Sequence, residues 1–218
     1  MAYRILFIDE EKDAIDAFKD YIDDYKNDID IEVKDFYPKG NLDEMIDILI
    51  KENPDAIVTD YNLNEKKTEI KHNVSYDGVE LAEAFMKIRS GFPVFITTSY
   101  DDTAIKESED VNIVYVKPSS EEDNASRAKF IDRVIQQILH YRSRITEAEE
   151  KLKQLIEKSS TVELDEQEER ELIKLDRFLE GAIDKQFAMP DELKTMSNSR
   201  RLISLIEKVD NLLGKFEK

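Results

Sequence analysis

The sequence predicts an α/β domain with a doubly wound parallel sheet, followed by a region built only of helices. In the first half of the chain, short apolar runs alternate with amphipathic stretches, a pattern typical of βαβ units whose strands are buried on both faces. After residue 117, strand-like runs almost vanish, and Glu, Lys, Leu and Ile dominate. We therefore place the α/β domain at residues 1–142 and a helical domain, either a bundle or a coiled coil, at residues 143–218.

Five segments of the first half have strand character. Four are continuous apolar runs, and the fifth, which contains Ile29, Ile31 and Val33, alternates apolar with polar residues. Between them, apolar residues recur at helical spacing. The continuous runs are 5–8, 56–59, 94–96 and 113–116, and the helical patterns are 14–22, 42–49 and 79–88.

Each continuous run is followed by polar residues that could serve one site. Asp9 and Glu10 follow the first run, Asp60 the second, Thr98 the third and Lys117 the fourth. Open α/β sheets bind ligands outside the carboxyl ends of their strands. Because parallel strands end at a common edge, three carboxylates, a hydroxyl and an ammonium would meet there. This set of groups suits the transfer of a phosphoryl group beside a divalent metal.

With these motifs in this order, residues from about 3 to about 142 resemble the receiver domain of two-component response regulators. The resemblance implies a flavodoxin-like, doubly wound sheet of five parallel strands. The motifs that carry it are 5–11 (ILFIDEE), 56–60 (AIVTD), Asp77-Gly78, 93–99 (PVFITTS) and Lys117-Pro118.

The resemblance assigns the phosphoryl chemistry to three side chains. Asp60 would be the phosphoacceptor, whose carboxylate attacks phosphorus and becomes an acyl phosphate. Thr98 would bond one phosphoryl oxygen, and the ammonium of Lys117 would neutralise another. Ser99, being small, would leave room for the phosphoryl group.

The resemblance also implies a Mg²⁺ site. Asp9, Glu10, Asp60 and the backbone carbonyl of Asn62 would hold the ion, which is hard and prefers oxygen ligands. Glu10 stands where the family more often has a second aspartate, so its carboxylate lies one methylene further out.

Two features depart from the family pattern. Val114 occupies the position of the usual aromatic switch residue, and Tyr115 beside it would point to the opposite face of the strand. The segment 62–76 is longer than the family norm by about ten residues. Its lysines and His72 favour a solvated insertion, and the alternative is a lid or a partner-recognition loop.

The helical region carries an apolar stripe that crosses the expected end of the receiver domain without a break. It predicts one long helix to about residue 158, followed by two further amphipathic helices with a break near Met189-Pro190. Their stripes could pack within one chain or form a homodimer. The residues of the first stripe are Ile131, Val134, Ile138, Tyr141, Ile145, Ala148, Leu152 and Leu155.

Composition excludes several classes of function. The net charge of −18 disfavours nucleic acid as a partner, and the absence of cysteine excludes thiolate chemistry. No apolar run approaches a membrane span and no signal peptide pattern is present, so we expect a cytoplasmic protein without membrane contacts. The helical region offers no phosphate loop, metal-ligand cluster or nucleophile–base pair, and we expect no enzymatic output domain.

We therefore expect a response regulator that accepts phosphate on Asp60 from a histidine kinase or phosphotransfer protein. Its output would be contact between the helical domain and a protein target. One alternative is a phosphate sink or relay intermediate, in which the helices serve only assembly. The other is a structural adaptor that uses the receiver fold without phosphorylation.

Overall fold

The computed structural model describes residues 2–25, 29–65, 69–98, 113–116, 124–159 and 161–184. Lys117, Ser99 and the last of the three helices expected in the helical region lie outside these residues. The described elements are β1 (Tyr3–Ile8), α1 (Lys12–Asp23), β2 (Ile31–Phe36), α2 (Leu42–Glu52), β3 (Ala56–Asp60), α3 (Gly78–Ile88), β4 (Val94–Thr98), β5 (Val114–Val116), α4 (Asn124–Ser159) and α5 (Glu166–Asp184).

In the described part of the chain, the strands form one parallel sheet of five, in the order β2-β1-β3-β4-β5. This is the flavodoxin-like order of doubly wound α/β folds, and the predicted fold class is confirmed. Every residue of β3 and β4 is buried, which explains why their sequences are apolar without alternation. The edge strand β2 instead alternates half-buried with exposed residues over most of its length.

The helices begin where the sequence provides capping groups. The side chain of Asn41 accepts a hydrogen bond from the backbone N–H of Asp43 at the start of α2. Asp77 and Glu80 form a reciprocal capping box at the start of α3. Such caps satisfy backbone donors that have no partner inside the helix. The loop that ends β3 and the start of α3 are thereby held in a defined geometry.

Helix α4 runs without interruption from Asn124 to Ser159, as the continuous apolar stripe predicts. The chain divides into two compact units, residues 1–145 and 146–218. Within the first unit, α4 packs on the sheet core through Phe130, Ile131, Val134, Ile135 and Ile138.

Helix α4 is also held at the amino edge of the sheet. The ring of Tyr141 packs edge-on against that of Phe92, with 5.5 Å between ring centroids. The guanidinium of Arg142 lies 2.6 Å from a carboxylate oxygen of Asp55, the residue that precedes β3. Residues 141 and 142 therefore tie this helix to the sheet at the edge opposite the carboxyl strand ends.

The described residues of the second unit comprise the end of α4 and all of α5. Ala148 is buried, and Lys151 forms a 2.6 Å ion pair with Glu171. Asp165 caps α5 by accepting from the N–H groups of Gln167 and Glu168 at 2.8 and 2.9 Å. None of the described helices combines the length and the apolarity needed to span a membrane.

Candidate functional site

Within the described residues, the sheet order brings four of the predicted site residues, Asp9, Glu10, Asp60 and Thr98, to one edge. Strand β1 lies beside β3 and pairs Ile8 with Thr59, so the acidic pair Asp9-Glu10 follows at the same edge as Asp60. On the other side of β3, Asp60 pairs with Thr97, next to Thr98. These four residues are buried: Asp9 is 1%, Glu10 2%, Asp60 7% and Thr98 2% exposed.

Backbone hydrogen bonds orient two of these carboxylates. Asp60 Oδ2 accepts from the N–H of Asn62 at 2.8 Å, and Asp9 Oδ1 accepts from the N–H of Glu11 at 2.9 Å. In each case the side chain bonds the backbone two residues further on, as in an Asx turn. The turn after each strand therefore sets the direction of its carboxylate.

Gly78 makes a close backbone contact that the sequence motif alone does not show. Its N–H donates to the carbonyl of Tyr61 at 2.9 Å. A Cβ atom at this position would lie 2.1 Å from the backbone oxygen of Asp60, far inside van der Waals contact. Glycine is required because α3 begins directly against the backbone of the predicted acceptor.

The chemistry of the site suits a hard cation. Three carboxylates at adjacent strand ends offer the oxygen ligands that Mg²⁺ prefers. In the described part of the chain, however, no three His, Cys, Asp or Glu side chains are gathered into a group that could hold a metal ion. The three carboxylates are thus present at the carboxyl edge of the sheet. Binding of a metal ion would require their side chains to turn toward a common centre.

Tyr115 is partly buried and packs against the core that β4 and α4 share. Its ring centroid lies 5.7 Å from that of Phe95 and 5.2 Å from that of Phe130. This packing agrees with the expectation that Tyr115 points away from the face of Val114. The ring of Tyr115 therefore contributes to the packing of β5 against α4.

The sequence predicts a solvated insertion at segment 62–76, and its described residues fit that prediction only in part, because polar residues such as Lys71 are exposed while apolar ones are buried. Four of its apolar side chains are buried: Leu63, Ile70, Val74 and Tyr76 are between 1% and 5% exposed. Lys71 and His72 are exposed, whereas the apolar residues pack against the rest of the domain. The described residues of the segment therefore pack on the domain at the carboxyl edge of the sheet.

Tyr76 should make the protein sensitive to alkaline pH. Burial raises the pKa of the Tyr76 hydroxyl well above its ordinary value near 10. The unfolded chain therefore loses this proton at lower pH than the native protein, so stability falls as pH rises above about 10. We expect Tyr76→Phe to lose less stability than the wild type between about pH 9 and pH 11, by up to about 1 kcal/mol. Urea unfolding at both pH values measures this, and identical losses would contradict the assignment.

Sequence comparison provides no relative, since no family model and no curated protein matches the chain. Response regulators and receiver domains are among the solved structures that the chain resembles. The anti-anti-sigma factor PhyR from Bartonella quintana is 13% identical, with a TM-score of 0.45 over 68% of this chain and 51% of that one. The chain thus spans about half the length of that protein.

Two further solved structures resemble the chain at comparably low sequence identity. A response regulator receiver protein from Sinorhizobium medicae is 18% identical, with a TM-score of 0.43 over 63% of this chain and 94% of that one. NtrX from Brucella abortus is 17% identical, with a TM-score of 0.49 over 80% of this chain and 34% of that one.

Proposed function

We propose that the chain is a response regulator whose receiver domain takes a phosphoryl group onto Asp60 from a histidine kinase or phosphotransfer protein. The observation that carries the proposal is the burial of Asp60 between the acidic pair Asp9-Glu10 and Thr98, at the carboxyl edge of a β2-β1-β3-β4-β5 sheet. In such sheets this edge is the ligand-binding edge. Three carboxylates on adjacent strand ends offer the oxygen ligands that a hard cation prefers, which supports a site for a positively charged ligand.

The transfer is a nucleophilic displacement at phosphorus. A carboxylate oxygen of Asp60 forms the new P–O bond while the bond from phosphorus to the donor's leaving group breaks. The hydroxyl of Thr98 would donate to a phosphoryl oxygen, and Lys117 would neutralise the negative charge of another. The N–H of Asn62, which already bonds Asp60 Oδ2, would hold the carboxylate in a fixed orientation.

The site's negative charge opposes the approach of a phosphoryl group. Asp9, Glu10, Asp60 and the backbone carbonyl of Asn62 would hold Mg²⁺, as the family resemblance suggests. When bound, the cation supplies charge that offsets the repulsion between Asp60 and the incoming oxygens.

The test is phosphorylation by a small donor. With Mg²⁺ and acetyl phosphate, the wild-type protein should gain one base-labile phosphoryl group, measured by intact mass spectrometry. Asp60→Asn should gain none, because an amide is too weak a nucleophile. Asp47→Asn removes an exposed carboxylate on α2 and should behave as the wild type. Equal phosphorylation of Asp60→Asn would move the acceptor to another residue.

We also propose that output passes through protein contacts of the helical domain. Helix α4 begins in the first compact unit and continues without a break into the second. Because one helix belongs to both units, a shift of α4 on phosphorylation would reach the helical domain. Homodimerisation of that domain stays a prediction.

Inserting two glycines after Arg144 should uncouple the two units. Glycine weakens the helix interior by roughly 1 kcal/mol per residue relative to alanine. The insertion lies beyond Tyr141 and Arg142, which tie α4 to the sheet, so phosphorylation of Asp60 should persist. Any phosphorylation-dependent change in oligomeric state, measured by light scattering, should be lost. Inserting two alanines at the same point is the control. It preserves the helix but rotates the part beyond residue 144 relative to the part before it, so it distinguishes an effect of flexibility from an effect of register. A change that survives the glycine insertion would contradict transmission through α4.

A further inference from the structure

The described residues of segment 62–76, namely 62–65 and 69–76, are called the strap from here on, and they are attached at the proposed acceptor. Its ends meet where the N–H of Gly78 donates to the carbonyl of Tyr61 at 2.9 Å. Tyr61 is in turn held to β4, because its N–H donates to the carbonyl of Thr97 at 2.8 Å. Long loops with adjacent ends and internal packing are Ω-loops, which are frequently functional.

The strap is held together by its own side chains. Asn64 Oδ1 accepts a hydrogen bond from the N–H of Val74 at 3.1 Å, which joins the first part of the strap to its last part. Asn62 Nδ2 donates to Glu65 Oε2 at 3.2 Å. With Leu63 and Ile70 buried, these contacts give the described residues of the strap a defined shape.

The strap is seated on the connection between β2 and α2, residues 37–41. Ser75 Oγ donates to the carbonyl of Gly40 at 3.1 Å, and a ring nitrogen of His72 lies 2.9 Å from the carbonyl of Pro38. A Cβ atom on Gly40 would lie 3.1 Å from the backbone oxygen of Asn73, so the fit is tight. Strand β1 lies between β3 and β2. The strap therefore reaches from the end of β3 to the end of β2, past the strand that bears the acidic pair.

The charges around Tyr37 support this placement. Burial and the carboxylate of Glu69 raise the pKa of Tyr37, while Lys12 lowers it. Glu69 belongs to the strap, and Lys12 opens α1, two residues after Glu10. The strap is thus an electrostatic neighbour of the segment that follows the acidic pair.

We propose that the strap is a donor-selective element of the acceptor site, which slows the access of small phosphodonors and water to Asp60. The proposal rests on the proposed function. Asp60 is only 7% exposed and both members of the acidic pair are almost completely buried. In-line attack needs a path from solvent to Asp60 for the donor. A seated loop at that edge of the sheet narrows the path, and larger donors are slowed more than smaller ones.

The experiment compares two small donors on a set of strap variants. The first variant replaces residues 65–73 with two glycines, so that Asn64 and Val74, which are already hydrogen-bonded, become the ends of a tight turn. The second variant, Gly40→Val, keeps the strap sequence. Its added side chain would press against the backbone of Asn73 in the strap. Lys71→Ala removes an exposed strap residue and serves as the matched control. Donors are phosphoramidate and the larger acetyl phosphate.

With acetyl phosphate, the shortened variant should be phosphorylated on Asp60 roughly fivefold faster or more than the wild type. The acyl phosphate should also hydrolyse faster. The phosphorylation rate of Gly40→Val should lie between those of the wild type and the shortened variant, and the rate of Lys71→Ala should equal that of the wild type. The rate ratio of acetyl phosphate to phosphoramidate should rise on shortening, whereas a general disturbance of the site would change both rates alike.

The outcomes separate the two proposals. Equal or slower phosphorylation of both folded variants, with Asp60 still the acceptor, would overturn the role of the strap and leave the proposed function intact. Phosphorylation of the shortened variant alone would support both. No phosphorylation of Asp60 in any form of the protein would overturn the proposed function and the role of the strap together. Thermal unfolding establishes that each variant is folded, and Gly40→Val decides the question where shortening prevents folding.

Discussion

Replacing Gly78 with alanine should destabilise the protein by about 3 kcal/mol or more, because the added methyl group overlaps the backbone of Asp60. Its Cβ would lie 2.1 Å from the carbonyl oxygen of Asp60 and 3.0 Å from the carbonyl carbon. The obstacle is main chain, so no side-chain rotation can relieve the overlap. Any protein that remains folded should have a displaced Asp60 and slower phosphorylation. Urea unfolding and the acetyl phosphate assay measure the two effects.

Whether Gly78→Ala destabilises or stabilises the protein distinguishes the backbone overlap from an effect of helix propensity. Gly78 is the first residue of α3, where helix propensity alone predicts that alanine stabilises by about 0.5–1 kcal/mol. Gly40→Ala is the matched control, because its Cβ would meet the Asn73 oxygen at 3.1 Å, a contact that a small shift of the strap can relieve. Stabilisation by Gly78→Ala would show that α3 does not press on the acceptor strand as described.

Replacing Asp9 with asparagine should abolish stabilisation by Mg²⁺ and raise stability in its absence. A cation that binds only the native protein adds about 2.7 kcal/mol when present at one hundred times its Kd. In the proposed site Asp9 is one of the charged ligands, so Asp9→Asn should remove this gain. Without metal, the same change relieves repulsion among buried carboxylates, and we expect the free energy of unfolding to rise by about 1 kcal/mol. Thermal unfolding with Mg²⁺ and with a chelator reports both.

Asp47→Asn again provides the control, since it removes the same charge from an exposed site on α2. Its response to Mg²⁺ should equal that of the wild type. If Asp9→Asn keeps the full Mg²⁺ response, the acidic pair does not bind the ion, and the carboxylates at this edge need another explanation.

The parallel sheet could be predicted because its strands are apolar on both faces. The runs at 56–59 and 94–96 correspond to β3 and β4, in which every residue is buried. A solvated face would have produced alternation, as it does in β2. The long helix could be predicted for a similar reason, because a stripe with constant helical spacing leaves no point at which α4 could end before Ser159.

The edge of the sheet that holds the candidate site was also predictable. Asp9, Glu10, Asp60 and Thr98 each follow or end a predicted strand, and parallel strands must end together. The roles of these residues come from resemblance and stay a proposal. That of Lys117, outside the described residues, rests on sequence alone.

Sequence reasoning failed where tertiary contacts decide the structure. The buried strap residues are scattered among charged ones, at no helical or strand period, so local pattern gave no sign that they pack. The contact between Gly78 and the Asp60 backbone joins residues that are distant in sequence. Only a strand end pressed against a helix start makes glycine obligatory there. An Asp-Gly pair suits a helix start in many contexts, which is why the motif alone did not reveal the contact.

The most direct test of the account locates the phosphoryl group chemically. Borohydride reduces an acyl phosphate of aspartate to homoserine, and peptide mass spectrometry identifies the altered residue. After treatment with acetyl phosphate and Mg²⁺, homoserine should be found at position 60, and a chelator should prevent its formation. Homoserine at any other aspartate, or none in a protein that has gained a phosphoryl group, would contradict the assignment of Asp60 as the acceptor.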